Sequence, residues 1–320
     1  MTITKPQAGS GHSPPTLVRL PQLLTSFAPF YLRHFLLQPY RAPGPGGADL
    51  IKRPGLRHHI AMYDAVLEIM LKGYADLTGL RLRPETGQVA VRLMHLGFAF
   101  DDEFERRTAA GDSLDFDAVF GGAVVEQPLA QWRGFMQKFD TYASIREFLF
   151  GYVTTLYTRY RKDTEEAGQS PSFDELIAAA EWDSGGLLVT LAHVVGLFHA
   201  APAPEDVIRQ FSSLGVTAKL ADDMVDLRSD LAGSRANLLA ALAKEHEQEF
   251  ARMTQALRME RRMTARWWRV NCPNSYARLS AVYGRHHAAL ASRWLRLANG
   301  LMWTPVLVGH SSVTDRRGRV

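Results

Sequence analysis

Residues 214–239 read LGVTAKLADDMVDLRSDLAGSRANLL. The apolar positions Leu214, Val216 and Leu220 lead into Asp222, Asp226 and Asp230, set four residues apart. On a helix that spacing lines the three carboxylates up along one face over two turns. Like charges at this interval repel by about 0.2–0.5 kcal/mol per pair in an isolated helix, so such a run is either a solvated face or a site. A second cluster upstream separates the two readings. Asp101-Asp102-Glu103-Phe104-Glu105 closes another apolar helical stretch, Val89 to Phe100. Asp101 and Glu105 form an i,i+4 pair, with Asp102 beside them. Two carboxylate clusters, each at the far end of an apolar helix, are what a magnesium–diphosphate site between two helices requires, because Mg²⁺ takes hard oxygen donors together with substrate phosphates.

The surrounding chain supports a large helical protein. At 320 residues, with 46% hydrophobic residues, a sizeable core can form. Net charge is only +4, but from Ala251 onward the acids are Glu260 and Asp315 alone among many arginines. A basic end of this kind meets nucleic acid, a membrane surface or a phosphorylated small molecule. The single cysteine, Cys272, excludes an internal disulfide and points to a reducing, cytoplasmic setting. The opening MTITKPQAGSGHSPP lacks the apolar core of a secretory leader. The longest apolar stretch, Leu187 to Phe198, is too short to cross a bilayer and contains His193.

Taken in order, residues 1–15 are Pro-, Gly- and Ser-rich and expected to be disordered. A helical region interrupted at Pro21 and Pro29 runs from Leu17 to Tyr40, and a turn-rich connector covers 41–47. Helical periodicity resumes from Leu56 to Leu77, with Ile60, Tyr63, Val66, Ile69 and Met70 on one side. Pro84 suits the first turn of a helix reaching Arg107. Helices are expected over 126–139 and 142–166, then from a capping box at Ser172 and Glu175 to His199. Gly185-Gly186 sits inside that last helix, where each glycine costs roughly 1 kcal/mol relative to alanine, so a break is expected there. Pro204 opens the helix carrying Asp222; long helices over 237–269 and 275–301 and a polar tail 306–320 complete the chain. No strand-like alternation, glycine-rich phosphate loop or internal repeat is present. The expected architecture is all-α, a single domain of roughly ten helices over 16–305.

One and two turns inward from the acids, Met94, Gly97 and Phe98 share the face of Asp101, while Phe211, Gly215 and Lys219 share that of Asp222. They are candidate walls of an apolar pocket, as are Trp182, Gly185 and Gly186; aromatic faces there stabilise a cation by roughly 0.5–2 kcal/mol each. Core packing is the alternative for all of them. Lys219 can touch a diphosphate oxygen, pair with Asp222 or snorkel.

DDEFE resembles the DDxxE form of the aspartate-rich motif of class I terpene synthases. Laid on that family's second metal motif, ADDMVDLRSD sets Asp222, Asp226 and Asp230 at the three ligand positions, and Gly233 with Asn237-Leu238-Leu239 is similar to its continuation. The resemblance covers residues 55–240 in order and spacing. It implies the α-helical terpenoid synthase bundle around a central cavity, three Mg²⁺ ions held by Asp101, Asp102, Glu105, Asp222, Asp226 and Asp230, and ionisation of an isoprenyl diphosphate of fifteen or twenty carbons followed by carbocation cyclisation. Three features depart from the family. The second motif is all aspartate; Glu181-Trp182-Asp183-Ser184-Gly185 lacks the diphosphate-sensing arginine; and the C-terminal arginine–tyrosine pair is absent. Lys219, Arg228 and Arg235 are the candidate diphosphate contacts in their place. Alternatives are a prenyl transferase coupling two isoprenoid units, against which Arg106-Arg107 follow the first motif immediately rather than a few residues beyond it, and a basic helical binding protein. A homodimer is open on this reading; nucleic acid and a transmembrane segment are not expected.

Overall fold

In the computed structural model, residues 20–41, 54–165, 171–233, 235–259, 263–304 and 306 are described. The expected disordered segment 1–15, the connector 42–47 and the tail 307–320 lie outside them. Fourteen helices of the described residues carry the fold, and no strand occurs among them. They are α1 (Leu20–Arg41), α2 (Pro54–Thr78), α3 (Thr86–Ala110), α4 (Phe116–Phe120), α5 (Ala123–Met136), α6 (Tyr142–Glu165) and α7 (Phe173–Trp182). They continue as α8 (Ser184–Phe198), α9 (Glu205–Ala232), α10 (Leu238–Lys244), α11 (Glu247–Arg258), α12 (Ala265–Asn271), α13 (Pro273–Ala288) and α14 (Arg293–Met302). The all-α expectation holds.

At the centre is α8, apolar around nearly its whole circumference and buried accordingly, from Gly185 through Leu188, Leu191 and Val195 to Phe198. Its most extensive partner is α9. With 28 residues, α9 is about 42 Å long and links two apolar clusters. Its first half packs Val207, Phe211 and Leu214 among α2, α3, α5, α8 and α14. Its second half packs Leu220, Met224 and Leu227 among α7 and α10–α13. No helix of the described residues is long and apolar enough to cross a membrane.

Several boundaries differ from the sequence expectation. α1 runs unbroken through Pro29. Pro29 has no N–H to donate to the Thr25 carbonyl, both residues face solvent, and the next residue, Phe30, meets Trp294 edge-on at 5.9 Å. The helix expected over 275–301 stops at Ala288 and restarts where Ser292 accepts from the Trp294 N–H at 3.2 Å. The helix expected over 237–269 is three helices, the last capped by Thr264 on the Trp267 N–H at 3.2 Å. The capping box at Ser172 and Glu175 is present as expected.

A carboxylate from one helix caps another in the second cluster. Glu249 on α11 is 3% exposed and accepts from Asn274 N and Ser275 N, both at 2.9 Å, and from Ser275 Oγ at 2.6 Å. Pro273, with no N–H, opens α13 just ahead of these donors. Burial alone would raise the Glu249 carboxyl, but the Ser275 and Asn274 donors outweigh it and hold it below the ordinary carboxylate range. The group therefore stabilises the fold above its unfolded pKa, and that contribution disappears as pH falls through the lower folded value. Glu249→Gln is expected to cost about 1–3 kcal/mol at neutral pH. In urea titrations the difference from the parent protein should shrink below about pH 4.

Candidate functional site

The two carboxylate helices, α3 and α9, make little contact with one another; α2 and α8 each touch both. The register of those contacts fixes where the acids lie. On α2, Tyr74 meets Phe211 of α9 edge-on at 6.2 Å, and three turns earlier Tyr63 lies in the field of Asp222 and Asp226. Tyr63 to Tyr74 and Phe211 to Asp222 are equal steps of about 16 Å, so α2 and α9 run antiparallel with Tyr63 level with the acids. Tyr63 also contacts Phe98 of α3 at 5.6 Å, one turn before Asp101. On the other side, a Cβ on Gly97 would stand 3.3 Å from Leu187 of α8. At about 100° per residue, Asp101 falls between Gly97 and Phe98, and Asp222 falls between Phe211 and Gly215. Both therefore point toward the junction of α2 and α8, at its solvent end, called here the gap end. The N-terminus of α8, the positive end of its dipole, opens toward the same end.

The α9 aspartates do not share one environment. Four residues exceed a helical turn by roughly 40°, so the row rotates as it advances. The Asp222 side chain is 59% exposed, Asp226 is half-buried, and Asp230 is buried, accepting from Asn237 Nδ2 at 2.9 Å. The expected single face is thus a spiral from solvent into the fold. Burial raises the Asp230 carboxyl, with Asn237 opposing. Asp223, which the sequence reading left without a role, is 2% exposed. It accepts from the Leu238 N–H at 2.6 Å and pairs with Lys219 at 2.9 Å. Burial pushes the Asp223 carboxyl up to about 6, with Lys219 and Leu238 pulling it down. Burial disfavours the Lys219 ammonium, but Asp223 and Asp222 outweigh this and keep it charged. Asn237 completes the knot by donating to the Asp223 carbonyl at 2.9 Å and capping α10.

On α3, Asp101 and Asp102 are exposed, and the Glu105 side chain lies outside the described residues. Glu103 is the structural member of this motif. It is 1% exposed and held by Arg106 at 2.8 Å and Arg107 at 2.7 Å, beneath Gly122, where a Cβ would fall 2.4 Å from the carboxyl carbon. The Arg106 hydrogen bond, foremost, holds the Glu103 carboxyl low.

The break expected at Gly185-Gly186 lies two residues earlier, at Asp183, which ends α7 and precedes α8 with φ −80°, ψ −87°. The glycines serve close approach. A Cβ on Gly215 would meet the Ser184 carbonyl oxygen at 2.3 Å, one on Gly185 the Ser212 hydroxyl at 3.1 Å, and one on Gly186 the Tyr152 hydroxyl at 2.2 Å. Gly185 and Gly215 form the α8–α9 crossing, and Phe211 and Met94 belong to the core beneath it. Phe98, 39% exposed, stands beside Tyr63 at the gap end, and Trp182 is half-buried with the Arg159 guanidinium over its ring at 5.8 Å. Because the clashing atom at Gly186 is a side-chain tip, Gly186→Ala is expected to displace Tyr152 at a cost of about 1–3 kcal/mol, read from the urea midpoint.

Asp183 influences both Tyr152 and Lys219. Glu181 points elsewhere: it is exposed and lies beside His286 of α13, whose imidazole burial keeps low against Glu181's opposing charge. Arg235 is exposed beside Asp230, and Arg228 is half-buried on the far side of α9 from Asp222.

Among the described residues no three carboxylates, imidazoles or thiolates converge on one point. The donors at the gap end, Asp101, Asp102, Asp222 and Asp226, are nonetheless hard oxygens open to solvent, which fits an ion that keeps waters and takes its remaining ligands from phosphate. Asp230, tied to Asn237, fits that role least. Comparisons with protein families, with curated proteins and with solved structures return no match to this chain.

Proposed function

We infer that this protein is a Mg²⁺-dependent class I terpene synthase acting on an isoprenyl diphosphate of fifteen or twenty carbons. The observation that carries the reading is that both acidic clusters, Asp101-Asp102 on α3 and Asp222 with Asp226 on α9, lie at the same end of the α2, α3, α8 and α9 packing, above the apolar core those helices share. Bound magnesium would neutralise diphosphate oxygens and make the group able to leave. Asp222 and Asp226 from α9, with Asp101 and Asp102 from α3, would supply the oxygen ligands that hold this magnesium, since carboxylates repel the diphosphate itself. The hydrocarbon tail lies along the rings of Phe98 and Tyr63, the apolar surface nearest the acids. When the allylic carbon–oxygen bond breaks heterolytically, its electron pair departs with the diphosphate, and the cation left on carbon is stabilised by the faces of these aromatic rings. Lys219 remains on Asp223 and Asp222 and fixes the turn of α9 that bears the acids.

Two observations weigh against the alternatives. Arg106 and Arg107, the double arginine a chain-elongating enzyme would aim at diphosphate, are both closed on Glu103. In the basic C-terminal third, Arg252 bonds the Asn271 carbonyl, Arg278 pairs with Asp174 and Glu245, and Arg296 bonds the Ala291 carbonyl, so these cations serve the fold. Inorganic diphosphate with Mg²⁺ is expected to raise the melting temperature, and neither alone should match the pair. Equal melting with and without the pair would contradict the reading.

A further inference from the structure

We propose that a hollow between α3 and α5 is a binding site for a small carboxylate, separate from the acidic gap end. The two helices run antiparallel. Gly122, just ahead of α5, lies over Glu103, and Phe135 near the end of α5 lies under Arg92, whose guanidinium carbon is 4.9 Å from the ring centroid. Between these contacts is a hollow of about 170 Å³, lined by Arg92 and His95 of α3 and by Gln127, Pro128 and Gln131 of α5. That is the space of about five or six waters at liquid density. Arg92 and His95 lie about 140° and 160° round α3 from Gly97, which faces Leu187 of α8. The hollow therefore opens on the side of α3 away from α8.

Its polar groups are uncommitted. Among the described residues, no side-chain hydrogen bond or ion pair engages Arg92, His95, Gln127 or Gln131. Stacking on Phe135 holds the guanidinium while leaving its N–H edges open, and that planar fork matches the two oxygens of a carboxylate. Burial and the Arg92 charge lower the His95 imidazole, so at neutral pH it is uncharged and offers one N–H. The glutamine amides, exposed at the rim, add neutral donors. The nearby acids turn elsewhere. Glu103 is closed on Arg106 and Arg107, Asp102 stands two turns or about 10 Å beyond His95, and Glu126 lies about 100° round α5 from Gln127, away from Pro128. One fixed positive charge among neutral donors balances a carboxylate better than a phosphate, which carries about −1.5 to −2. Pro128 supplies an apolar wall, so the ligand class is a carboxylate borne on a short apolar group.

The test is calorimetric titration of the full chain with sodium benzoate at neutral pH and constant ionic strength, without Mg²⁺ or diphosphate, alongside thermal melts without ligand. Saturable binding of one benzoate per chain is expected, with benzamide, its neutral analogue, weaker by about tenfold or more. Arg92→Gln should weaken benzoate by a similar factor and Arg92→Lys by less. Gln131→Ala, a change at an exposed position, should weaken it about threefold at the parent's melting temperature. Inorganic phosphate and a capped glutamate, which stands in for a partner protein's acidic side chain, should both bind more weakly than benzoate. The assignment is overturned by a parent protein that binds no benzoate saturably, by benzamide binding equally, by phosphate or capped glutamate binding more tightly, or by parent-like binding in Arg92→Gln. It is also overturned if Arg92→Gln loses binding only with a lower melting temperature while Gln131→Ala binds as the parent does. Since neither Mg²⁺ nor diphosphate is present, each of these results leaves the proposed function standing.

Discussion

Asp222→Ala is expected to lower turnover of an isoprenyl diphosphate by about 100- to 1,000-fold, the loss seen when one preset electrostatic contact to developing charge is removed. Its stability should stay within about 0.5 kcal/mol of the parent protein, because the side chain is 59% exposed and its contact with Lys219 is long, at 3.5 Å. The neighbouring aspartate should behave in the opposite way. Asp223→Ala leaves the Lys219 ammonium without its close partner and the Leu238 N–H without its acceptor, and should cost about 3–5 kcal/mol. Steady-state kinetics with urea titrations on the two variants separate the roles. Near-normal turnover in Asp222→Ala, or unchanged stability in Asp223→Ala, would reverse the assignment given to that residue.

Gly215→Ala is expected to destabilise the protein by about 3 kcal/mol. The added Cβ would lie 2.3 Å from the Ser184 carbonyl oxygen and 2.6 Å from the Gly185 Cα, and both obstacles are backbone. No rotamer change relieves such a clash; α8 and α9 must move apart. Since Asp222 lies two turns along α9 from this crossing, separation also shifts the carboxylates against α3. Turnover should fall with stability here, unlike Asp222→Ala. A denaturation midpoint equal to that of the parent protein would mean that the crossing is looser than its geometry requires.

Periodicity and punctuation carried much of this architecture in the sequence. The apolar runs ahead of both acidic clusters, the capping box at Ser172 and Pro204 before α9 are local signals, and each marks an element that is present. The misplaced break has a physical origin: paired glycines signal close approach as readily as a bend, and here Ser212 and Tyr152 occupy the space that side chains would have taken. Tyr63 was grouped with Ile69 and Met70 on an apolar face, yet it is 52% exposed because α2 extends past the core to the end of the gap. A residue's depth along a helix is set by its neighbours and cannot be read from its own spacing. The same holds for the acids. Spacing made Asp222, Asp226 and Asp230 equivalent and passed over Asp223, whose role arises from Leu238 and Lys219 folding onto it.

The central claim is that the carboxylates at the end of this gap ionise an isoprenyl diphosphate. Its most direct test is incubation of the full chain with the ten-, fifteen-, twenty- and twenty-five-carbon diphosphates, with and without Mg²⁺, followed by product analysis. The account predicts a cyclic terpenoid and free diphosphate from the fifteen- or twenty-carbon substrate, formed only with Mg²⁺. Recovery of all four substrates unchanged in the presence of Mg²⁺ would contradict it.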